Sequence, residues 1–287
     1  MLLPVLIGTV WLLPPIFTFA LAVLVAVLAF LEYRTIAAAL GVSVAGGIGA
    51  VAVALACYAV WAGDRTVDSH SWSLPIGGIG FTDTVAYQPN VIPLVFMAAF
   101  VVTAALSVAR GRPAAGVLND AAATMLAPVY IGMPLGALAW IREPRFLDVS
   151  LHRPDPRIAL LLLAVVIIVS DSAQYYTGRT FGRRPLAPTI SPKKTVEGAV
   201  GGVVFGTLAA TIGGRYVFAS PIWVLALLGA TISLLGIVGD LFESLLKRSA
   251  GVKDSSNLIP GHGGVLDRID SWLFAAPVYY VFVRFLA

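Results

Sequence analysis

Charge is what this sequence lacks most. Only 12% of its 287 residues are charged, against 59% that are apolar, and the mean hydropathy is +0.90. A soluble domain carries about a quarter charged residues. One aqueous core cannot enclose so much apolar side chain, which excludes an ordinary soluble enzyme and implies an all-α polytopic membrane protein. Cysteine is nearly absent: Cys57 stands alone, so neither an intramolecular disulfide nor a cysteine-based metal site is possible. The opening residues, MLLPVLIGTVWLLPP, lack a basic leader and a small-residue cleavage site, and read as a retained membrane segment. There is no internal repeat and no low-complexity tail. The chain reads as one membrane domain, 1–287, with N-terminal helices over 1–155 and catalytic helices and loops over 156–287. The net charge is +4, from 19 basic and 15 acidic residues. In a membrane protein that excess marks cytoplasmic loops rather than a nucleic-acid partner.

Apolar runs of roughly 20 residues mark the spans. The first 32 residues contain Pro14-Pro15 and read as a hairpin of two segments, 2–13 and 15–32. Further segments fall at 41–61, 91–109, 117–141, 157–178, 195–213, 220–242 and 270–286. That gives nine spans, or eight if the N-terminal pair is one helix. With the N-terminus in the cytoplasm, loops on that side hold twelve Lys and Arg, and loops on the outer side hold six. This bias supports the orientation and puts the two most basic loops, 178–194 and 243–269, on one face. The long polar outer loop 62–90 carries no recognised motif.

Ionisable residues inside spans are costly and are functional candidates. Asp171 lies in IIVSDSAQYYTGR, clustered at helical spacing with Ser170, Gln174 and Tyr175; an interfacial pairing with Arg179 or Arg183 is the plainer alternative. Asp240, Glu243, Ser244 and Lys247 recur at i, i+3, i+4, i+7 and line one helix face, which could also be an amphipathic extension. Asp267 and Asp270 stand three apart at the start of the last span, where carboxylates also serve as helix caps. Four carboxylates at one depth repel unless a cation sits among them, and all-oxygen ligation suits Mg2+.

The basic side is in LAPTISPKKTVEGAVGG. Ser191 reads as a helix N-cap with Pro192 at the first helical position. Lys193 and Lys194 then fall in the first turn, where the dipole disfavours cations unless an anion binds. Gly198, Gly202 and Gly206 repeat every four residues and read as a close-packing face. The stretch PGHGG, Pro260 to Gly264, is a turn whose glycines let backbone approach a ligand. It is bracketed by Lys253-Asp254 and Asp267, with Lys247-Arg248 upstream. His262 can hydrogen-bond phosphate or merely occupy the turn; no second histidine is near, so it does not read as a metal ligand. Carboxylates, lysines and glycine loops gathered on one face suit metal-dependent phosphoryl or nucleotidyl transfer to a lipid.

These motifs also carry a family resemblance. SLLKRSAGVKDSSNLIPGHGGVLDRIDS, Ser244 to Ser271, resembles the signature of phosphatidate cytidylyltransferases (CDP-diacylglycerol synthases): S-x-x-K-R, then K-D, then P-G-H-G-G-x-x-D-R-x-D. DSAQYYTGRTFG and SPKKTVEG are similar to the family's upstream segments. Ser256 stands where the family commonly has glycine, and Gln174 where a small residue is expected. The match covers residues 165–275. The resemblance implies the reaction of CTP with phosphatidate to give CDP-diacylglycerol and pyrophosphate. It also implies Mg2+ with a second cation such as K+, a homodimer, and an active site facing the cytoplasm of the bacterial inner membrane. Asp240 and Asp267 are expected to hold Mg2+, with Asp270 and Asp171 as further ligands, and Asp240, Asp267, Lys247 and Asp171 to be catalytic. Lys193, Lys194, Ser244, Arg248, Lys253, His262, Gly263, Gly264 and Arg268 are expected to bind substrate. Two other readings stay open: a CTP-dependent lipid or polyprenol kinase, and a cation or phosphate transporter. A transporter's site would lie nearer the midplane.

Overall fold

The computed structural model describes residues 2–63, 91–109, 116–143, 155–253, 255–256 and 263–286. The described residues form ten α-helices, one π-helical turn and a two-stranded hairpin. The helices are α1 (Leu2–Leu12), α2 (Pro15–Ala39), α3 (Gly46–Ala62), α4 (Val91–Ala109), α5 (Val117–Ala127), α6 (Met133–Ile141), α7 (Pro156–Phe181), α8 (Val196–Val217), α9 (Ile222–Ser249) and α10 (Leu266–Phe285). Strands β1 (Pro185–Ala187) and β2 (Ser191–Thr195) pair antiparallel between α7 and α8. A π turn, Pro128–Gly132, joins α5 to α6 into one continuous rod. Proline at the start of this turn and again in α6 removes backbone donors, which favours local rewinding over a regular ladder.

Each apolar segment expected from the sequence is a helix, and the N-terminal pair is two helices, with the break at Leu13-Pro14. Six helical segments are long and apolar enough to cross a membrane: α2, Ile92–Ala109, Val117–Ile141, α7, α8 and α9. Of the other three expected spans, α1 has 11 residues, α3 has 17, and α10 carries Asp267, Arg268, Asp270 and Arg284. Large apolar side chains on the outer faces, among them Phe100, Leu208, Ile212, Trp223 and Leu227, are exposed, as a lipid-facing surface requires. The chain is therefore built as an integral membrane protein.

Two buried clusters hold the helices together. One joins α2, α3, the α5–α6 rod and the start of α10; the other joins α6 through α10 around Trp140, Leu163, Leu225 and Tyr279. The glycine stripe of α8 packs as expected. A Cβ on Gly202 would lie 2.3 Å from Gln174 Cγ, and one on Gly206 would lie 2.0 Å from Ser233 Oγ. Helices α7, α8 and α9 therefore approach as closely as their backbones allow. Gly206→Val should lower stability by about 1–3 kcal/mol through this overpacking, read as a lower thermal midpoint in detergent.

Arg142 and Glu143, just past the expected segment 117–141, are both buried. Arg142 is 4% exposed and donates through Nε and Nη2 to Val10 O, at 3.0 and 2.8 Å. It thereby takes up a carbonyl in the last turn of α1, which has no intrahelical donor. Glu143 accepts from Trp61 Nε1 at 2.7 Å. The 62–90 loop lies almost wholly outside the described residues, as do Asp254 and His262.

Candidate active site

The functional groups gather where four helix ends meet: the C-terminal parts of α7 and α9, and the N-terminal parts of α8 and α10. The hairpin β1–β2 closes the rim. A cavity of about 620 Å³ opens there, lined by Asp171, Gln174 and Arg179 of α7, Lys193 and Lys194 of β2, Asp240, Glu243 and Lys247 of α9, and Asp267, Arg268 and Asp270 of α10. All four carboxylates singled out in the sequence are in its wall. The polar face Asp240–Glu243–Lys247 is continuous because α9 runs on to Ser249, past the expected end of the span at 242. The α9–α10 approach is close at that level: a Cβ on Gly239 would lie 2.5 Å from Asp270 O.

The hairpin corrects one expectation. Ser191 does not cap a helix, and Lys193 and Lys194 are not in a first turn. They lie on β2, and α8 begins after Thr195, whose hydroxyl accepts from Gly198 N at 3.1 Å. The physical reason is in the sequence. Glu197, not a lysine, sits in the first turn of α8, where the dipole favours an acid, and its carboxylate accepts from Arg183 N and Arg184 N at 3.0 and 3.2 Å. The strand places successive side chains on opposite faces: Lys193 is exposed, whereas Lys194 pairs with Asp240.

Two lysines balance three of the acids. Lys194 holds Asp240, and Lys247 lies between Glu243 and Asp267. Glu243 is 1% exposed, and its Oε1 has no hydrogen-bond partner. Asp267 divides its work. One oxygen faces Lys247; the other accepts from Ser255 N at 3.0 Å, Ser255 Oγ at 2.8 Å and Gly264 N at 2.8 Å. Asp267 does not cap α10: its second oxygen holds Ser255 and the Gly264 amide, and the first amides of the helix, Val265 N and Leu266 N, go to Glu32 instead. Asp171 does not pair with Arg179 or Arg183; it accepts from Gln174 Nε2 at 3.2 Å, while Arg179 donates to Tyr175 Oη at 3.1 Å. Asp270 accepts from Ser271 N at 2.6 Å. Asp171, Asp240 and Asp270 feel one another's charge across the cavity.

Among the described residues no three acids converge in a ready-made coordination cage. A hard cation that keeps several waters and binds through one or two carboxylates plus substrate phosphates does not require one, so the oxygen-only donor set fits Mg2+. Ser244, Arg248, Lys253, Gly263 and Gly264 do not line the cavity. Arg248 is exposed and reaches Ile190 O of the hairpin at 3.4 Å, Lys253 is exposed, and Gly263 sits at φ +77° in the turn before α10. Sequence reasoning missed two buried acids. Glu243 was visible only as part of a polar stripe. Glu32 of α2 was passed over, although it is an acid in a long apolar run.

The model of the cytidylyltransferase family matches residues 1–286, well beyond the 165–275 on which the resemblance rests. The phosphatidate cytidylyltransferase of Synechocystis sp. is 41% identical over 164 residues, 55% of this chain and 53% of the relative. The phosphatidate cytidylyltransferase of Bacillus subtilis is 45% identical over 158 residues, 54% of this chain and 55% of the relative. An uncharacterized Escherichia coli protein is 37% identical over 194 residues, 66% of this chain and 62% of the relative. The chain therefore spans about half to three-fifths of the length of these relatives.

Proposed function

From a chain that belongs to the cytidylyltransferase family, we propose an enzyme that transfers the cytidylyl group of CTP to phosphatidate, giving CDP-diacylglycerol and pyrophosphate. The single observation that carries this reading is the cavity itself, an opposed set of acids and bases at one end of an apolar helix bundle. Its lining has five acids (Asp171, Asp240, Glu243, Asp267, Asp270) and five bases (Arg179, Lys193, Lys194, Lys247, Arg268). The wall is therefore formally neutral. A nucleoside triphosphate and a lipid phosphomonoester both bring negative charge, which this wall alone does not offset, so an added cation is needed.

The phosphate of phosphatidate is the nucleophile and the CTP α-phosphorus the electrophile; the P–O bond to pyrophosphate breaks as the new one forms. A phosphomonoester has its second pKa near 6, so the nucleophile is ionised near neutral pH and no strong base is required. The difficulty is bringing two anions together, so catalysis is positioning and charge neutralisation. Asp240 would hold Mg2+, with Asp171 and Asp270 beside it and Asp267 offering the oxygen that faces Lys247. When bound, Mg2+ supplies charge neutralisation for the phosphate oxygens and the leaving pyrophosphate. Lys194 and Lys247 stand against the same acids, within reach of phosphate oxygens that enter the cavity. Lys193 and Arg268 extend the positive charge to the rim.

Basic loops at the cavity end favour a cytoplasmic site in the bacterial inner membrane, with the nine helical segments as spans and K+ as a second cation. The reading also pairs two copies of the chain, which light scattering in detergent would show as twice the 30.1 kDa chain mass. The test of the reaction is purified protein in mixed micelles with phosphatidate and CTP. Mg2+ should give CDP-lipid and pyrophosphate, and EDTA should abolish both. CDP-lipid formed equally well in EDTA would remove the metal from the reading.

A further inference from the structure

Glu32 is buried, 5% exposed, near the end of α2, 223 or more residues in sequence from everything it binds. Its Oε2 accepts from Ser255 Oγ at 2.9 Å and Leu266 N at 2.7 Å; its Oε1 accepts from Ser256 Oγ at 2.6 Å and Val265 N at 2.9 Å. Among the described residues no Lys or Arg pairs with it. The carboxylate is held instead by two hydroxyls and the first free amides of α10, where the helix dipole favours negative charge. A buried carboxylate is costly unless so satisfied, which makes this arrangement specific to one placement of Ser255 and Ser256 against the start of α10.

That conformation is shared with the cavity. Ser255 Oγ lies 2.9 Å from Glu32 Oε2 and 2.8 Å from Asp267 Oδ2. The hydroxyl has one proton, so it bridges the two carboxylates by donating to one at a time. Gly264 lies between them: a Cβ there would fall 1.9 Å from Ser255 Oγ and 2.4 Å from Glu32 Oε2, while its own N–H donates to Asp267. The glycine turn is therefore the packing between two acids, one of which faces the cavity.

We infer that Glu32 is a positioning residue for Asp267: it fixes the turn before α10 and so sets the Asp267 oxygen that faces Lys247 and the cavity. This rests on the cytidylyltransfer reading for its catalytic consequence, and on geometry alone for its structural one. Glu32→Gln keeps the shape but replaces one acceptor oxygen by an amide donor facing N–H and O–H groups.

The experiment measures amide hydrogen exchange, thermal midpoint and steady-state kinetics on full-length Glu32→Gln in detergent. Exchange over 263–266 should quicken about tenfold or more, with α7 and α8 unchanged and the midpoint within a few degrees. The kcat should fall at least about tenfold, with the phosphatidate KM within about threefold and half-saturating Mg2+ raised several-fold. Unchanged exchange, or quickened exchange with normal kcat and normal Mg2+ dependence, overturns the inference. If Glu32→Gln gives no cooperative melt, Ser256→Ala takes its place, removing one donor to Glu32 and no charge. Faster exchange over 263–266 with lower kcat then supports the inference; neither change overturns it. If the unsubstituted protein makes no CDP-lipid, the reaction assignment fails on its own, and the exchange data still decide whether Glu32 fixes the turn.

Discussion

Asp240→Asn should leave a folded protein whose cytidylyl transfer is reduced by at least about 100-fold, the scale expected when a preorganised charge is removed from a transferring phosphoryl group. The substitution preserves volume, so the close approach of Gly239 to Asp270 O is untouched. What it removes is the charge that pairs with Lys194 and that acts on Asp171 and Asp270. Loss of the ion pair and relief of repulsion oppose each other, so the thermal midpoint should move little while activity collapses. The check is kcat/KM beside a melt on the same preparation. Activity within about fivefold of the unsubstituted protein would take the metal away from Asp240.

Lys247→Met should act on both stability and activity. Lys247 sits between Glu243 and Asp267, with side chains 12%, 1% and 12% exposed. Removing the one cation between these carboxylates strips buried Glu243 of its ion pair and leaves Asp267 only its hydrogen bonds to Ser255 and Gly264, a loss on the order of 3 kcal/mol. Glu243 suffers most, since its Oε1 already lacks a partner. Two comparisons separate this from a generic loss of positive charge. Adding Glu243→Gln to Lys247→Met should recover part of the stability, because one stranded charge is then gone, but none of the activity. Lys193→Met, at an exposed strand position, should leave the melt unchanged and cost about tenfold or less in activity. A Lys247→Met protein that melts normally would mean that the triad is not the internal support described.

What could be read from the sequence followed from its apolar background. In a chain with so few charges, Asp171, Asp240, Asp267 and Asp270 stand out one by one, and all four line one cavity. The helices were equally legible, because an unbroken apolar run of span length has few alternatives to a helix. The hairpin was not. Ser191-Pro192-Lys193-Lys194 carries the local marks of a helix start, and only the pairing of Ser191–Thr195 with Pro185–Ala187, together with Glu197 on the Arg183 and Arg184 amides, moves that start to Val196. Glu32 and Arg142 were hidden for a different reason. Their partners lie across the fold, at Ser255, Ser256, Val265 and Leu266 for one and at Val10 for the other, and no local pattern records a contact over such separations.

The measurement that most directly tests cytidylyl transfer uses two CTP preparations, one labelled at the α-phosphate and one at the γ-phosphate. Each is incubated with the purified protein, phosphatidate micelles and Mg2+. The expected result is α-label in the lipid phase, matched mole for mole by released pyrophosphate, with γ-label entirely in that pyrophosphate. γ-Label appearing on lipid, with CDP as the soluble product, would contradict cytidylyl transfer and make this cavity the site of a CTP-dependent lipid kinase.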